Sequence, residues 1–375
     1  MIVPAYNAAD TFGPCLQALL DQTMPKGAYE VIVVDDGSTD ATAEIARGYD
    51  VRILSQPHQG PTKARNRGVA EANGVIVLFT DADCVPARDW IEQMVKPLAD
   101  PEIVGVKGAY ATQQRRIIPR FVQLEFEERY RLLSRYRYID FVDTHAAAFR
   151  KAIICAVGGF DPAIPGPTAE DADLSYRISH GGYKMVFNPA AIVYHRHPVR
   201  WPDYLRVKFW RACWRMSAYC KHPGKMVRDS YTPQLLKAQV LLFYLTIGGV
   251  GAAVLWLQSL WFSLAALTSF FASTLPFVAG AWREDPPVAT LSPLLLFSRA
   301  GAFAAGIPVG ILLAVLSRGK RQRGYEAEKG SAEQPNRGQP AATTNLSDRT
   351  GQRDLECVSR LTARRVISPG ERSDF

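Results

Sequence analysis

Paired cysteines are missing from this chain: the six it has (Cys15, Cys84, Cys155, Cys213, Cys220, Cys357) are scattered and form no C-x-x-C pair. That argues against a zinc site or a dithiol redox centre and leaves reduced thiols in a cytosolic setting as the expectation. No charged n-region followed by a long apolar h-region stands at the N-terminus, so no signal peptide is read there. Met1 leads straight into Ile2-Val3-Pro4, which makes the first strand short and is compatible with a start inside a longer natural strand. There is no helix-turn-helix, zinc-finger or RNA-recognition signature, so nucleic acid is not an expected partner. Internal repeats are absent. Charge, too, is missing over one long stretch, Ala238 to Trp282, which a soluble domain rarely tolerates.

What is present exceeds one average domain: 375 residues with a formal charge of +8, concentrated near the uncharged stretch and in the tail. Such a balance suits an anionic membrane surface or a phosphate-bearing substrate. Ala238–Leu257 and Leu260–Gly280 are each about twenty residues long, enough to cross a bilayer as helices. Gln258-Ser259 between them implies a tight hairpin. A third apolar stretch, Leu291 to Leu316, is interrupted by Arg299 and Pro308. Basic residues flank the whole region at Lys221, Lys225, Arg228 and Lys237, then at Arg318, Lys320, Arg321 and Arg323. The positive-inside rule puts both ends in the cytoplasm, which favours two crossings with the third segment re-entrant or interfacial. From Trp201 to Arg228 the chain is aromatic and basic. Leu205, Phe209, Ala212, Cys213 and Met216 share one helical face, and Lys208, Arg211 and Arg215 another. That pattern predicts a helix lying in a membrane interface, with a soluble surface helix packed on the main domain as the alternative. The expected organisation is a folded domain over 1–200, a basic aromatic region over 201–235, membrane helices over 236–317 and a disordered polar tail over 318–375.

Residues 1 to about 110 alternate strand and helix signals, which predicts an α/β fold with a parallel sheet covered on both faces. Val31-Ile32-Val33-Val34 and Val75 to Phe79 read as buried strands, Gly60 to Ala72 as a helix. The second strand ends in Asp35-Asp36-Gly37, the later one in Asp81-Ala82-Asp83. An Asp-x-Asp pair after a buried strand delivers two carboxylates at the carboxyl edge, where open α/β sheets bind ligands. Two such carboxylates repel unless a cation or hydrogen bonds compensate them, and hard cations such as Mg²⁺ are commonly held by carboxylates together with substrate phosphates. A separate acidic pair, Glu170-Asp171, could serve as a general base.

In order along the chain stand Val3-Pro4-Ala5-Tyr6-Asn7, Val34-Asp35-Asp36-Gly37-Ser38-Thr39-Asp40, Ala64-Arg65-Asn66-Arg67-Gly68 and Thr80-Asp81-Ala82-Asp83. Ala147-Ala148-Phe149-Arg150, Gly158-Gly159-Phe160-Asp161 and Glu170-Asp171-Ala172-Asp173-Leu174 continue the series. Each is weak alone; their joint order and spacing are specific. Over roughly residues 1–200 the chain resembles the family 2 glycosyltransferases. The resemblance implies a GT-A fold, a Rossmann-like nucleotide-sugar-binding sheet merged with an acceptor-binding half. It implies inverting transfer from a nucleotide-sugar donor with a divalent metal, Mg²⁺ or Mn²⁺.

By that resemblance Asp83 binds the metal, while Asp81 contacts ribose or metal-bound water; the competing account is a pair of exposed turn residues. Asp36 contacts base or ribose, or else caps the next helix, a role Ser38 or Asp40 could take instead. Pro4, Ala5 and Tyr6 end the first strand where a nucleobase could stack, or form a simple turn. Lys63, Arg65 and Asn66 begin a helix that could face the phosphates, against a merely solvated basic face. Asp171 is the base by motif alignment, Glu170 orients the acceptor and Asp173 caps a helix. His195 or His197 could complete the metal shell, although a lone histidine is more often structural.

One departure stands out. Processive synthases of the family carry Gln-x-x-Arg-Trp beyond the base; here Arg206-Val207-Lys208-Phe209-Trp210 keeps only the Trp. Single addition to a lipid-linked or glycan acceptor is the reading, by a multi-pass protein of the cell (inner) membrane with its catalytic domain in the cytoplasm. Alternatives are a polyprenyl-phosphate-sugar synthase and a catalytically retired nucleotide-binding membrane scaffold. A nucleotidyltransferase would carry an N-terminal Gly-rich loop where Pro4-Ala5-Tyr6-Asn7 stands.

Overall fold

β-branched and aliphatic runs make the strands, and amphipathic segments between them make the helices that cover the sheet. The computed structural model describes residues 1–164 and 169–332. The first half holds β1 (Ile2–Ala5), α1 (Ala9–Leu20), β2 (Ile32–Asp35), α2 (Thr42–Arg47), β3 (Arg52–Ser55), α3 (Pro61–Glu71) and β4 (Ile76–Phe79). Then come β5 (Cys84–Pro86), α4 (Trp90–Val95), β6 (Ile103–Ala111), α5 (Ile117–Leu133), β7 (Ala147–Arg150), α6 (Lys151–Ala156), α7 (Glu170–His180) and β8 (Lys184–His195). Helices α8 (Trp201–Lys221), α9 (Pro223–Val227), α10 (Gln234–Ala252), α11 (Ser259–Glu284) and α12 (Pro286–Ala332) complete the described chain.

One eight-stranded sheet has the order β3-β2-β1-β4-β7-β6-β8-β5. The first four strands are parallel, as the alternating pattern predicts. The remainder corrects the all-parallel expectation: β7 runs antiparallel to both β4 and β6, and β5 antiparallel to β8. The two late strands expected at Val186-Phe187 and Ile192 to Tyr194 are one strand, β8, with register shifts along its pairing with β6. Chain order reverses beside β1, and the carboxyl ends of β1, β2 and β4 converge at that crevice. Ile2, Val33, Phe79, Phe149 and Phe160 form the buried floor beneath it. α3 lies so close to β1 that a Cβ on Gly68 would come within 2.4 Å of the Ile2 side chain. Cys15, Cys84 and Cys213 are free; the expectation of reduced thiols throughout is corrected at Cys155, which is disulfide-bonded.

Three helices are long and apolar enough to cross a membrane: Gln234–Ala252, Ser259–Glu284 and Pro286–Leu316. Their exposed side chains are apolar, including Leu245, Leu264 and Leu312, with Trp256, Trp261 and Trp282 near the helix ends. The link between the first two is residues 253–258, longer than the two-residue hairpin expected. The third segment was expected to be re-entrant or interfacial; it is one continuous helix that keeps Pro293 and Pro308 within it. Its backbone runs on to Ala332, so the polar tail expected from 318 starts as helix, and residues 333–375 lie outside the described residues.

Helix α8 packs along α12. Trp201 Nε1 donates to Ser298 Oγ, and Cβ atoms on Gly306 and Gly310 would meet the backbone oxygens of Phe209 and Cys213 at 2.4 and 2.2 Å. The contacts advance together on both helices, so they run side by side in one direction, and glycines four apart permit the approach. Lys208 does not project from this helix. It is buried against Glu125 of α5 at 2.8 Å, and Arg299 of α12 binds the same carboxylate at 2.7 Å. Burial alone would raise Glu125, but Lys208 and Arg299 outweigh it and hold the carboxyl at about 2. Arg299 also reaches Gln239 of α10, whose amide donates to Ser273 of α11. One buried polar chain thus ties the catalytic half to all three apolar helices.

Candidate active site

The crevice at the carboxyl edge is a cavity of about 750 Å³ lined by Pro4, Ala5, Tyr6, Asp36, Arg65, Asp81 and Asp83 among others. The loops that follow β1 and β2 are stitched together: Asn7, held at φ 48°, accepts from the Thr39 amide at 2.8 Å, and its own amide donates to Ser38 Oγ. Gly37 turns the chain at φ 77°, where a Cβ would sit 2.8 Å from the His58 nitrogen. Asp40 accepts from the amide and hydroxyl of Thr42 at the start of α2, whose N-cap residue is Ala41 and not Asp40 or Ser38. Asp35 accepts from the Ser38 amide.

Asp36 is buried and fully engaged. Its carboxylate accepts from Gln56 Nε2 (2.6 Å) and from the amides of Gln59 (2.9 Å) and Gly60 (2.8 Å), and His58 Nδ1 lies 2.9 Å away. It therefore shapes the loop between β3 and α3 as well as lining the cavity. His58 in turn stacks on Tyr6 with ring centroids 4.0 Å apart. Half-exposed Tyr6 thus gains a second ring, and the pair makes an aromatic ledge at the cavity wall.

The three α3 candidates separate. Arg65 is buried and spans the site: one nitrogen donates to Asp81 Oδ1 and another to Glu170 Oε1, each at 2.9 Å. A single guanidinium thereby joins the carboxylate after β4 to the acidic start of α7. Lys63 points outward and binds Gln59 Oε1, and it is not among the residues lining the cavity. Asn66 faces away from the cavity; its amide brackets the backbone of Phe160, donating to the carbonyl and accepting from the N–H.

Asp83 meets His195, the last residue of β8, with Oδ2 3.2 Å from Nε2. Asp83, Cys84 and His195 are the group among the described residues that could hold a metal ion. Cys84 is a poor donor, because burial, with Asp83 and Asp81 nearby, pushes its thiol well above the ordinary value. The expected third participant, Asp81, is turned toward Arg65 instead.

His195 also meets its neighbour His197. Gln123 spends its amide N–H on Tyr110 O and Glu127, leaving Oε1 to accept from His197 Nε2 at 3.2 Å. Burial first, then the charge of His195, lowers His197 to about 3, so that ring is neutral and its Nδ1 is an acceptor. His195 Nδ1, 3.3 Å away, must supply the proton between them. His195 Nε2 faces the Asp83 carboxylate. An imidazole nitrogen beside a carboxylate oxygen is a donor set that fits a divalent transition ion better than a purely oxygen-seeking one.

Glu170 and Asp171 open α7, both buried, and Glu170 Oε2 accepts from the Ala169 amide. Burial, then the charge of Glu170, raises Asp171 to about 7, against the pull of Arg215 and Arg65. A carboxyl near neutrality can take up a proton in the physiological range. Asp173 does not act as a capping residue: it binds Arg177 at 2.8 Å and His222 at 3.2 Å, anchoring the end of α8 to α7.

Sequence reasoning passed over His58, Gln123 and the pairing of His195 with His197. His58 stands in a polar Pro-Gly loop after the third parallel strand, Gln123 meets His197 across 74 residues, and His195 and His197 are two apart on the chain.

Residues 1–157 match the Glycosyl transferase family 2 profile, which places a family 2 domain in this part of the chain. It is 40% identical over 114 residues to glycosyltransferase AglE of Haloferax volcanii, covering 29% of this chain and 38% of that one. It is 28% identical over 222 residues to the pre-mycofactocin glycosyltransferase of Mycobacterium tuberculosis, covering 56% and 47%. The chain thus spans about half the length of such relatives or less. Among solved structures, the mannosyltransferase PcManGT from Pyrobaculum calidifontis, in complex with GDP-Man and Mn²⁺, superimposes with a TM-score of 0.50 at 23% identity. That match covers 84% of this chain and 85% of that one, and it identifies the GT-A fold.

Proposed function

We propose that the protein is an inverting, metal-dependent glycosyltransferase. It would move one sugar from a nucleotide-sugar to a lipid-linked or polysaccharide acceptor at the cytoplasmic face of the cell membrane. The observation that carries this is Arg65, which fastens the Asp81 side of the donor crevice to the Glu170-Asp171 pair. Donor-binding and proton-accepting groups are thereby held within one buried unit.

In the proposed reaction the nucleobase rests by the Tyr6–His58 ledge and the ribose and phosphates lie toward Asp36 and Asp81. Asp171 takes the proton from the acceptor hydroxyl, whose oxygen attacks the anomeric carbon from the face opposite the diphosphate. The bond from that carbon to the phosphate oxygen breaks, and the nucleoside diphosphate leaves with the electron pair. Asp83 and His195 would hold the divalent cation, Mn²⁺ or Mg²⁺, which when bound neutralises charge on the leaving group. Arg65 binds Glu170 beside Asp171 and limits how far that base is raised.

A membrane location is supported by three apolar helices and by basic residues at both ends of the region. The test is a screen of GDP- and UDP-sugars for release of nucleoside diphosphate by the full chain with Mn²⁺. At least one donor should be turned over slowly even without acceptor, and turnover of none, with a known transferase active in parallel, would refute the reading.

A further inference from the structure

Between α8, α10 and α12 lies a second cavity, of about 310 Å³, separate from the crevice after β1, β2 and β4. Its walls are apolar, from Val240 of α10 and Phe303, Ile307 and Ile311 of α12. Arg129, Arg211, Arg215 and Lys237 also line it, and no carboxylate does. Four cations beside hydrocarbon is an unusual lining. Lysine and arginine on a lipid-facing helix normally reach outward to water, whereas here Arg129 is buried and Arg215 lies over the Phe141 ring at 4.6 Å.

These arginines also face the sheet domain. Arg215 Nη1 lies 3.5 Å from Tyr176 Oη of α7, and Arg211 lies over the Phe126 ring of α5. The cavity therefore joins two environments: helices suited to a bilayer on one side, and α8 with its contacts to α5 and α7 on the other. A ligand filling it would need a hydrocarbon portion and an anionic head, and guanidinium groups match phosphate oxygens geometrically as well as in charge.

Building on the glycosyltransferase reading, we infer that this cavity binds the acceptor, a lipid with a phosphate or diphosphate head: Arg211 and Arg215 hold the phosphate while the chain lies along α10 and α12. Bulk phospholipid is a poorer occupant, because Arg215 is turned inward, against Tyr176 of α7 and over the Phe141 ring. The site also explains why α8 carries basic residues that do not serve a surface.

The experiment uses the full chain in detergent and measures equilibrium binding of radiolabelled farnesyl phosphate, with farnesol, inorganic phosphate and phosphatidylglycerol as competitors. Farnesyl phosphate should bind saturably, farnesol at least tenfold more weakly, and neither inorganic phosphate nor phosphatidylglycerol should displace it at equal concentration. Arg211→Gln removes one cation and Ile311→Trp fills the apolar end; each should weaken farnesyl phosphate at least tenfold. Nucleotide-sugar binding, measured on the same samples, reports that the fold is intact. Equal affinity for farnesol and farnesyl phosphate, displacement by phosphatidylglycerol, or wild-type affinity in both variants would overturn the inference. Donor binding without farnesyl phosphate binding sinks only the lipid site. Farnesyl phosphate binding without donor binding sinks the glycosyltransfer reading and leaves the lipid site standing.

Discussion

Replacing Arg65 with glutamine probes the link on which the site depends. The wild-type guanidinium makes two charge-assisted bonds of 2.9 Å, to fully buried Glu170 and to Asp81, whose side chain is 36% exposed. A charge-assisted bond contributes about 1.5–3 kcal/mol. The Glu170 bond deserves the upper part of that range, since its loss strands a buried carboxylate; the Asp81 bond is partly screened and contributes less. Together the loss comes to about 3–4 kcal/mol, which corresponds to a fall in melting temperature of roughly 6–16 °C for a domain of this size. Chemistry should suffer as well. Arg65 is one of the two cations that restrain Asp171, so Arg65→Gln should move the rising limb of the pH–rate profile above its wild-type position near 7. Thermal unfolding in detergent and donor turnover across pH 5–9 read the two effects. A variant that melts within about 2 °C of wild type, with an unmoved pH limb, would refute the claim that Arg65 joins the two halves.

As the proposed base, Asp171 would have to be deprotonated to act, so turnover should rise roughly tenfold per pH unit below about 7 and level above it; Asp171→Asn should lose about 10²–10⁴-fold and the limb itself. The same group bears on stability with the opposite sign. Its folded value lies above its unfolded value of 3.8, so the stabilisation from holding that proton fades as pH rises toward about 7. Asp171→Asn should therefore gain stability over wild type progressively across that window, as followed by denaturation at pH 4, 6 and 8. Gly306→Leu should cost about 1–3 kcal/mol or more by forcing α8 off α12, whereas Gly251→Leu, with nothing near its Cβ, should be tolerated; melting in detergent compares them.

The first four strands and the helices between them were legible because each parallel strand is a short aliphatic run, with β2 and β4 leading into Asp35-Asp36 and Asp81. Asp36, Asp81 and Tyr6 were readable for the same reason: parallel strands put their carboxyl ends at one edge. The antiparallel strand β7 was not foreseen, because Ala147 to Arg150 is too short to declare a direction. Lys63 and Asn66 share a helix with Arg65, but position along α3 says nothing of which face meets Phe160 or Glu170. Lys208 was read as a surface cation; its partner Glu125 lies 83 residues upstream, a distance no local pattern spans. The continuity of α12 through Arg299 was hidden for the same reason, since the carboxylate that accommodates that charge comes from α5.

The central claim is that the crevice after β1, β2 and β4 binds a nucleotide-sugar through a metal held by Asp83. Calorimetric titration of the donor that turns over, with and without Mn²⁺, on wild type and Asp83→Ala tests it most directly. Wild type should bind at least tenfold more tightly with Mn²⁺, and Asp83→Ala should lose that gain while keeping its metal-free affinity. Equal metal enhancement in the two proteins would contradict the account.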